Sequence, residues 1–183
     1  MTDVEISGWQ PDWRPAADQL HNHAERLQAL RGRQITNGWI VWDLEHDVWF
    51  ADLPVVLRFD DNRQLEVSWQ KFDDLSLTWN TIDVATAPNA WVTWPLEWRR
   101  DAHPVLTPVV GDVVNSIFST EHVFTTRQVL PAQETATTRS TWLVSGIWLE
   151  TRTAGLHIFN ALDENGLGST CPEPGPEFRR TPL

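Results

Sequence analysis

Tyrosine is absent from this chain of 183 residues, and lysine, cysteine and methionine each occur once. The lone cysteine, Cys171, cannot close an intrachain disulfide, and it sits in the proline-rich stretch Cys171-Pro172-Glu173-Pro174-Gly175-Pro176, which is a poor setting for an activated thiolate. No apolar run approaches the roughly 18 residues needed to span a bilayer. The first twenty residues carry Asp3, Glu5, Asp12 and Asp18 in place of a basic segment followed by an apolar one, so the expected compartment is the cytoplasm. Positive charge is scarce: 14 Lys and Arg stand against 25 Asp and Glu, a net charge of −11. Nucleic acid and anionic membrane both need clustered cations to displace counterions, so neither is expected as a partner. Also missing are GxGxxG, a Walker phosphate loop, GxSxG, HExxH and paired CxxC, which removes the familiar templates for dinucleotide, phosphate, acyl-transfer and zinc chemistry. No catalytic residue, cofactor or metal is expected on these grounds.

What is present points to a folded domain. Hydrophobic residues make up 41% and charged residues 21% of the chain, outside the range of disordered sequences. A chain of this length buries about 70% of its open surface on folding. One domain is expected, with an arm over 1–14, a β-rich body over 15–169 and an irregular tail over 170–183. The arm lacks periodicity but holds Trp9 and Trp13, two indoles able to dock it on the body.

From Pro15 to Arg31, Leu20, Ala24, Leu27 and Leu30 recur at helical spacing, and Gly32 is placed to close the helix with a left-handed residue. His21 and His23 lie two apart and diverge by about 200° around a helix, which is unsuited to one metal; they are expected in solvent. Beyond Gly32 the period changes to two. Val55, Leu57 and Phe59, then Leu65, Val67 and Trp69, flank the polar tip Asp60-Asp61-Asn62-Arg63, the pattern of a β-hairpin with Arg58, Glu66 and Ser68 on its outer face. Leu75, Leu77 and Trp79 continue the alternation. A second β-rich half opens at Gly111, passes a Thr-, Ala- and Gln-rich loop over 131–141, and forms a second hairpin from Trp142–Glu150 and Leu156–Ala161, followed by the turn Asp163-Glu164-Asn165-Gly166. The fold class is therefore mainly β (α+β by content): a rolled antiparallel sheet or partly open barrel with one N-terminal helix. The order of strands after Gly32 and after Gly111 is similar enough to raise two like β-units sharing one core.

Three groups of residues carry functional expectations. Residues 34–83 contain ten acids and three bases, and this concentration marks Asp43, Glu45, Asp47, Asp60, Asp61, Asp73 and Asp74 as one anionic face for a basic protein partner. A basic toxin or nuclease neutralised by a small acidic immunity-like protein is the concrete form of that reading, an analogy of size and charge. Second, Trp91, Trp94 and Trp98 with Arg99 form an aromatic and charged cluster suited to a sugar, small ligand or peptide. Third, Asp43, Glu45 and Asp47 alternate with Trp42, Leu44, His46 and Val48. On a strand the three carboxylates share one face and His46 the other, an arrangement open to a divalent cation or to acid–base hydrolysis. Among the 12 tryptophans, Trp69, Trp142 and Trp148 lie in apolar strands and are the expected core fillers.

Overall fold

Helix α1 spans Ala16–Gln28 and buries Ala16, Leu20 and Leu27, with Leu30 just beyond its end. In the computed structural model, residues 4–128 and 138–183 are described. Pro15, with an extended ψ of 133°, starts the helix, and Gly32, at φ +80°, turns the chain out of the last coil. The helix is therefore shorter than the expected 15–31, because 29–32 close it as a turn. His23 is drawn in from solvent as well: its Nδ1 accepts the indole N–H of Trp79 at 3.0 Å.

The strands are β1 (Arg14–Pro15), β2 (Ile35–Asp43), β3 (Val48–Trp49), β4 (Val55–Phe59), β5 (Gln64–Gln70), β6 (Asp74–Trp79), β7 (Leu96–Arg100), β8 (Val114–Arg127), β9 (Thr138–Thr151), β10 (Gly155–Asn160), β11 (Asn165–Gly168) and β12 (Phe178–Pro182). They form two antiparallel sheets, and neither closes into a barrel. The first runs β1-β6-β5-β4-β2-β3 with β7 also on β2; the second runs β11-β10-β9-β8-β12. With 49% strand against 8% helix, the chain is mainly β with a helix near its N-terminus. The hairpin at 60–63 is present, with Leu57 opposite Leu65. So is the hairpin joining β9 to β10, with Ile147 opposite Ile158.

Two expectations about the ends of strands need correction. The tail is not irregular throughout, since Phe178–Pro182 pairs with β8 from His122 to Phe118. Glu121 anchors it: its carboxylate accepts two bonds from Arg179 and one from Thr181. The threonine-rich loop expected over 131–141 falls largely outside the described residues, but Thr138–Thr141 belongs to β9, opposite Arg127–Phe124. Trp142 on this outer ribbon is only half-buried and is covered by Arg179, whereas Trp69 and Trp148 are buried.

The two sheets are stitched together where each begins. Gly32 N donates to Val114 O and Val114 N to Arg33 O, while Ile35 N donates to Asp112 O and Gly111 N to Ile35 O. Gly32 and Gly111, the two turn glycines read in the sequence, both have positive φ, +80° and +88°. The Asp112 carboxylate locks the join to the second hairpin, accepting from Thr153 N, Thr153 Oγ1 and Arg152 Nε. Burial opposes its ionisation, but these bonds outweigh that and hold its pKa far below the usual carboxylate range. Both sheets contribute to one core, yet they differ in strand number and in what lies at their edges.

Alternation along β4 and β5 places Val55, Leu57, Leu65, Val67 and Trp69 in the core shared with α1 and the second sheet. The other face is not solvated, contrary to expectation. Glu66 and Ser68 are each 1% exposed, because Val56, Trp39 and Val41 on that face form a second cluster with Ile6, Ile82, Phe50 and Leu53. Glu66 survives there by full hydrogen bonding, accepting from Gln64 Nε2, Thr78 Oγ1, Thr81 N, Thr81 Oγ1 and Ile82 N.

In the second sheet, His157 is buried and exchanges a hydrogen bond with Thr120 at 2.8 Å across Gly146. A Cβ on Gly146 would meet His157 Nε2 at 2.5 Å. Burial lowers the His157 pKa to about 4. The neutral ring is favoured in the fold, so its stabilisation is complete above the ordinary histidine value and is lost as pH falls from about 6.5 towards 4, by on the order of 3 kcal/mol. Chemical unfolding at pH 7.5, 5.5 and 4 is expected to show that loss, and His157→Gln, less stable at neutral pH, is expected to flatten the pH dependence in this window.

Candidate functional site

The structure divides the seven acids of the expected anionic face between two ends of the first sheet. Val55 pairs with Val67 and Arg58 with Gln64, so Asp60 and Asp61 lie at the end opposite Asp43, Glu45, Asp47, Asp73 and Asp74. Several are also neutralised internally. Asp61 pairs with Arg63 and Arg33, Asp74 with Lys71, and Asp47 with Arg99. One continuous anionic face is not formed.

The alternating carboxylates at 43–47 are not on one strand either. β2 ends at Asp43 and the chain turns, with Asp47 at φ +53°. Asp43 is 2% exposed and caps that turn, accepting from Glu45 N, His46 N and His46 Nδ1. Burial raises its pKa less than the His46 and backbone bonds lower it. His46, expected on the other face, is thus the partner of Asp43. Asp47 accepts from the Trp42 indole and from Arg99. Among the described residues no group of three His, Cys, Asp or Glu side chains is placed to hold a metal, and no helix is long and apolar enough to cross a membrane.

The aromatic cluster is partly assembled. Trp91 and Trp94 meet edge to face at 5.0 Å. Trp94 then turns to His46 at 4.4 Å, while Trp91 packs on Phe50 at 5.0 Å. Trp98 and Arg99 are neighbours on β7 and so face opposite ways: Trp98 joins the second apolar cluster, and Arg99 lies over the Trp42 ring at 4.6 Å. Of the four residues expected together, only Trp91 lines the concavity beside the N-terminal arm.

That concavity is a groove of about 930 Å³ at the end of the first sheet. The N-terminal arm forms one wall with Trp9 and Trp13, whose rings meet edge to face at 6.1 Å. Phe50 and Trp91 form another, the end of β5 at Trp69 and Gln70 borders it, and Glu5, Asp52 and Asp163 supply carboxylates. Among the described residues no lysine, arginine or histidine lines it. The arm is held in place by backbone bonds from Asp83 N to Ser7 O and from Asn89 N to Glu5 O. Gly8, at φ +80°, passes so close to Thr81 that a Cβ would sit 2.1 Å from its carbonyl oxygen. Asp52 is exposed at the mouth, yet burial of part of its surroundings, followed by the charge of Asp163, raises its pKa.

Asn165 brings these segments together. Its side chain accepts from Trp69 N at 3.0 Å and donates to Ala51 O at 2.8 Å and Leu53 O at 3.0 Å. It thereby ties the end of β5, the segment before β4 and the β10–β11 turn, and it sets Asp163 near Asp52. Asp163 also accepts the Lys71 backbone N–H. The sequence reading anticipated docking of Trp9 and Trp13 but missed Asp52, Phe50 and Asp163 as site residues, since no local spacing relates residue 52 to residue 163. No family model, curated protein or solved structure matches the chain.

Asn165 is 1% exposed, so Asn165→Ala strands the Trp69 N–H and the Leu53 carbonyl, while Ala51 O keeps the Asn165 backbone N–H, and is expected to cost about 2–4 kcal/mol of stability. Urea unfolding followed by tryptophan fluorescence measures it. Asn165→Asp, which keeps one acceptor for Trp69 N but sets a charge against two carbonyls, is expected to be no better.

Proposed function

We propose that the protein is a non-enzymatic recognition module and that its partner protein docks in the tryptophan-lined groove. The observation that carries this reading is the groove's make-up: half-buried indoles from the arm and from the 80–95 segment line a concavity that also holds carboxylates and, among the described residues, no cation. Tryptophan is enriched at binding hot spots because its large ring gains much from desolvation at little entropic cost. The expectation of a basic partner, such as a toxin or nuclease masked at its cationic site, carries over with its docking site moved from the 43–74 acids to this groove. The overall charge of −11 speeds encounter with such a partner.

A second reading is a glycan-binding module, favoured by the indoles of Trp9, Trp13 and Trp91 in one groove. Its site is centred on the arm and on Trp91, and not on Trp94 or Trp98.

Selection of a displayed library of random 12-residue peptides on the immobilised protein tests the first reading. Enriched clones are expected to lose about tenfold or more in affinity on the Trp13→Ala, Trp91→Ala double variant, with its unfolding midpoint measured alongside. Absence of enriched clones, or clones that bind a folded double variant as well as the unmutated protein, overturns docking in the groove.

A further inference from the structure

Two arginines of this chain are held in the same way. Arg99 lies 4.6 Å from the Trp42 ring centre while its Nε donates to Glu97 and its Nη1 to Asp47. Arg179 lies 4.4 Å from the Trp142 ring centre while its Nε and Nη2 donate to Glu121. In each case a guanidinium is stacked on an indole and bonded at its edge to a carboxylate. The arrangement is specific to arginine: the guanidinium is planar, weakly hydrated and forked, so it stacks and bonds at once, whereas an ammonium does not.

The groove contains the other two parts of this arrangement without the arginine. Indoles of Trp9, Trp13 and Trp91 stand in its walls, and Asp52 and Asp163 stand at one side. Among the described residues Asp52 makes no ion pair and accepts no hydrogen bond, unlike Asp47 and Glu121 in the filled sites. Burial and the neighbouring Asp163 both disfavour its charge, the condition that a cation relieves.

We propose that the groove takes up an arginine side chain of the partner protein, stacked on the wall indoles and paired with Asp52 and Asp163. This rests on the reading of the groove as the docking site and names the chemistry of what docks. The three carboxylates of the groove, with no lining cation among the described residues, supply the charge complement. An arginine there completes for a third time the stacking and bonding found at Arg99 and Arg179.

The test uses acetylated, amidated pentapeptides Gly-Gly-Xaa-Gly-Gly, with arginine, lysine or glutamine at the centre, and cellopentaose as the neutral sugar. Each is titrated into protein labelled at the tryptophan indole nitrogens, and the indole N–H resonances are followed by NMR. The arginine peptide is expected to shift Trp9, Trp13 and Trp91, the lysine peptide to bind more weakly, and the glutamine peptide to leave them in place. Asp52→Asn removes a carboxylate that bonds nothing among the described residues and whose charge the fold disfavours, so it is expected to be at least as stable as the unmutated protein, yet to lose about tenfold or more in arginine-peptide affinity. Equal binding of the glutamine and arginine peptides, or an unchanged affinity in Asp52→Asn, overturns the arginine assignment. Indole shifts with cellopentaose and none with the arginine peptide overturn it too, while leaving the groove as a binding site for sugar. Silence with every probe, together with no enriched clone in the peptide selection, overturns both readings.

Discussion

The first sheet is buried on both faces, and the rest of the architecture follows from how that is done. One face has the second sheet and α1 to cover it. The other has no sheet, so Ile6 from the arm, Ile82 from the segment after β6, and Phe50 and Leu53 from the chain before β4 must exclude water from Trp39, Val41 and Val56. Irregular segments cover a sheet less evenly than a second sheet does, since they pack few side chains per length and need their own backbone bonds met. At the sheet's end their coverage is incomplete. The groove is the gap that remains, and the indoles that wall it belong to, or lie beside, the cover.

Covering that face also brings a carboxylate into the interior. Glu66 faces the second apolar cluster and is kept by five donors, four of them from Thr78, Thr81 and Ile82. Each of those bonds also fixes the course of the chain leaving β6. The polar hub and the apolar cover therefore support each other: the cover desolvates Glu66, and Glu66 positions the segment that carries Ile82 and leads to Trp91. The join between the sheets works on similar lines at the other end of the molecule. There Asp112 satisfies the Arg152-Thr153 turn while the backbone of 32–35 and 111–114 exchanges bonds, so the second sheet is placed by hydrogen bonds as well as by core packing.

Composition acquires a structural meaning in this setting. Thirteen of the 14 cations are arginine and there are 12 tryptophans; Arg26, Arg58, Arg99 and Arg179 all lie over indole rings. Arginine on tryptophan recurs in this protein, over the half-buried Trp42, Trp79 and Trp142 and over the buried Trp39, because the guanidinium face covers the ring while its rim stays open to hydrogen bonds. Among the described residues no lining cation shields the indoles of the groove in this way, which distinguishes them from Trp39, Trp42, Trp79 and Trp142.

Much of the fold was legible in the sequence. The period-two runs around 55–69 and 142–161 are hairpins in the expected places, and Leu20, Leu27 and Leu30 face the core from or just beyond the one helix. Alternation and turn residues act between near neighbours, so the chain's local order determined these elements, along with its charge and its wealth of indole. Local order also misled at 43–47, where a positive φ at Asp47 replaces strand by turn and commits Asp43 and Asp47 to separate partners. The site was a matter for tertiary structure. Alternation says which side chains share a face but not whether another segment will later lie over it, as Glu66 and Ser68 show. Nor does it say which turns will meet: Asn165 reaches Leu53 across 112 positions, and that contact, settled only when both sheets pack, is what sets Asp52 beside Asp163 among the tryptophans.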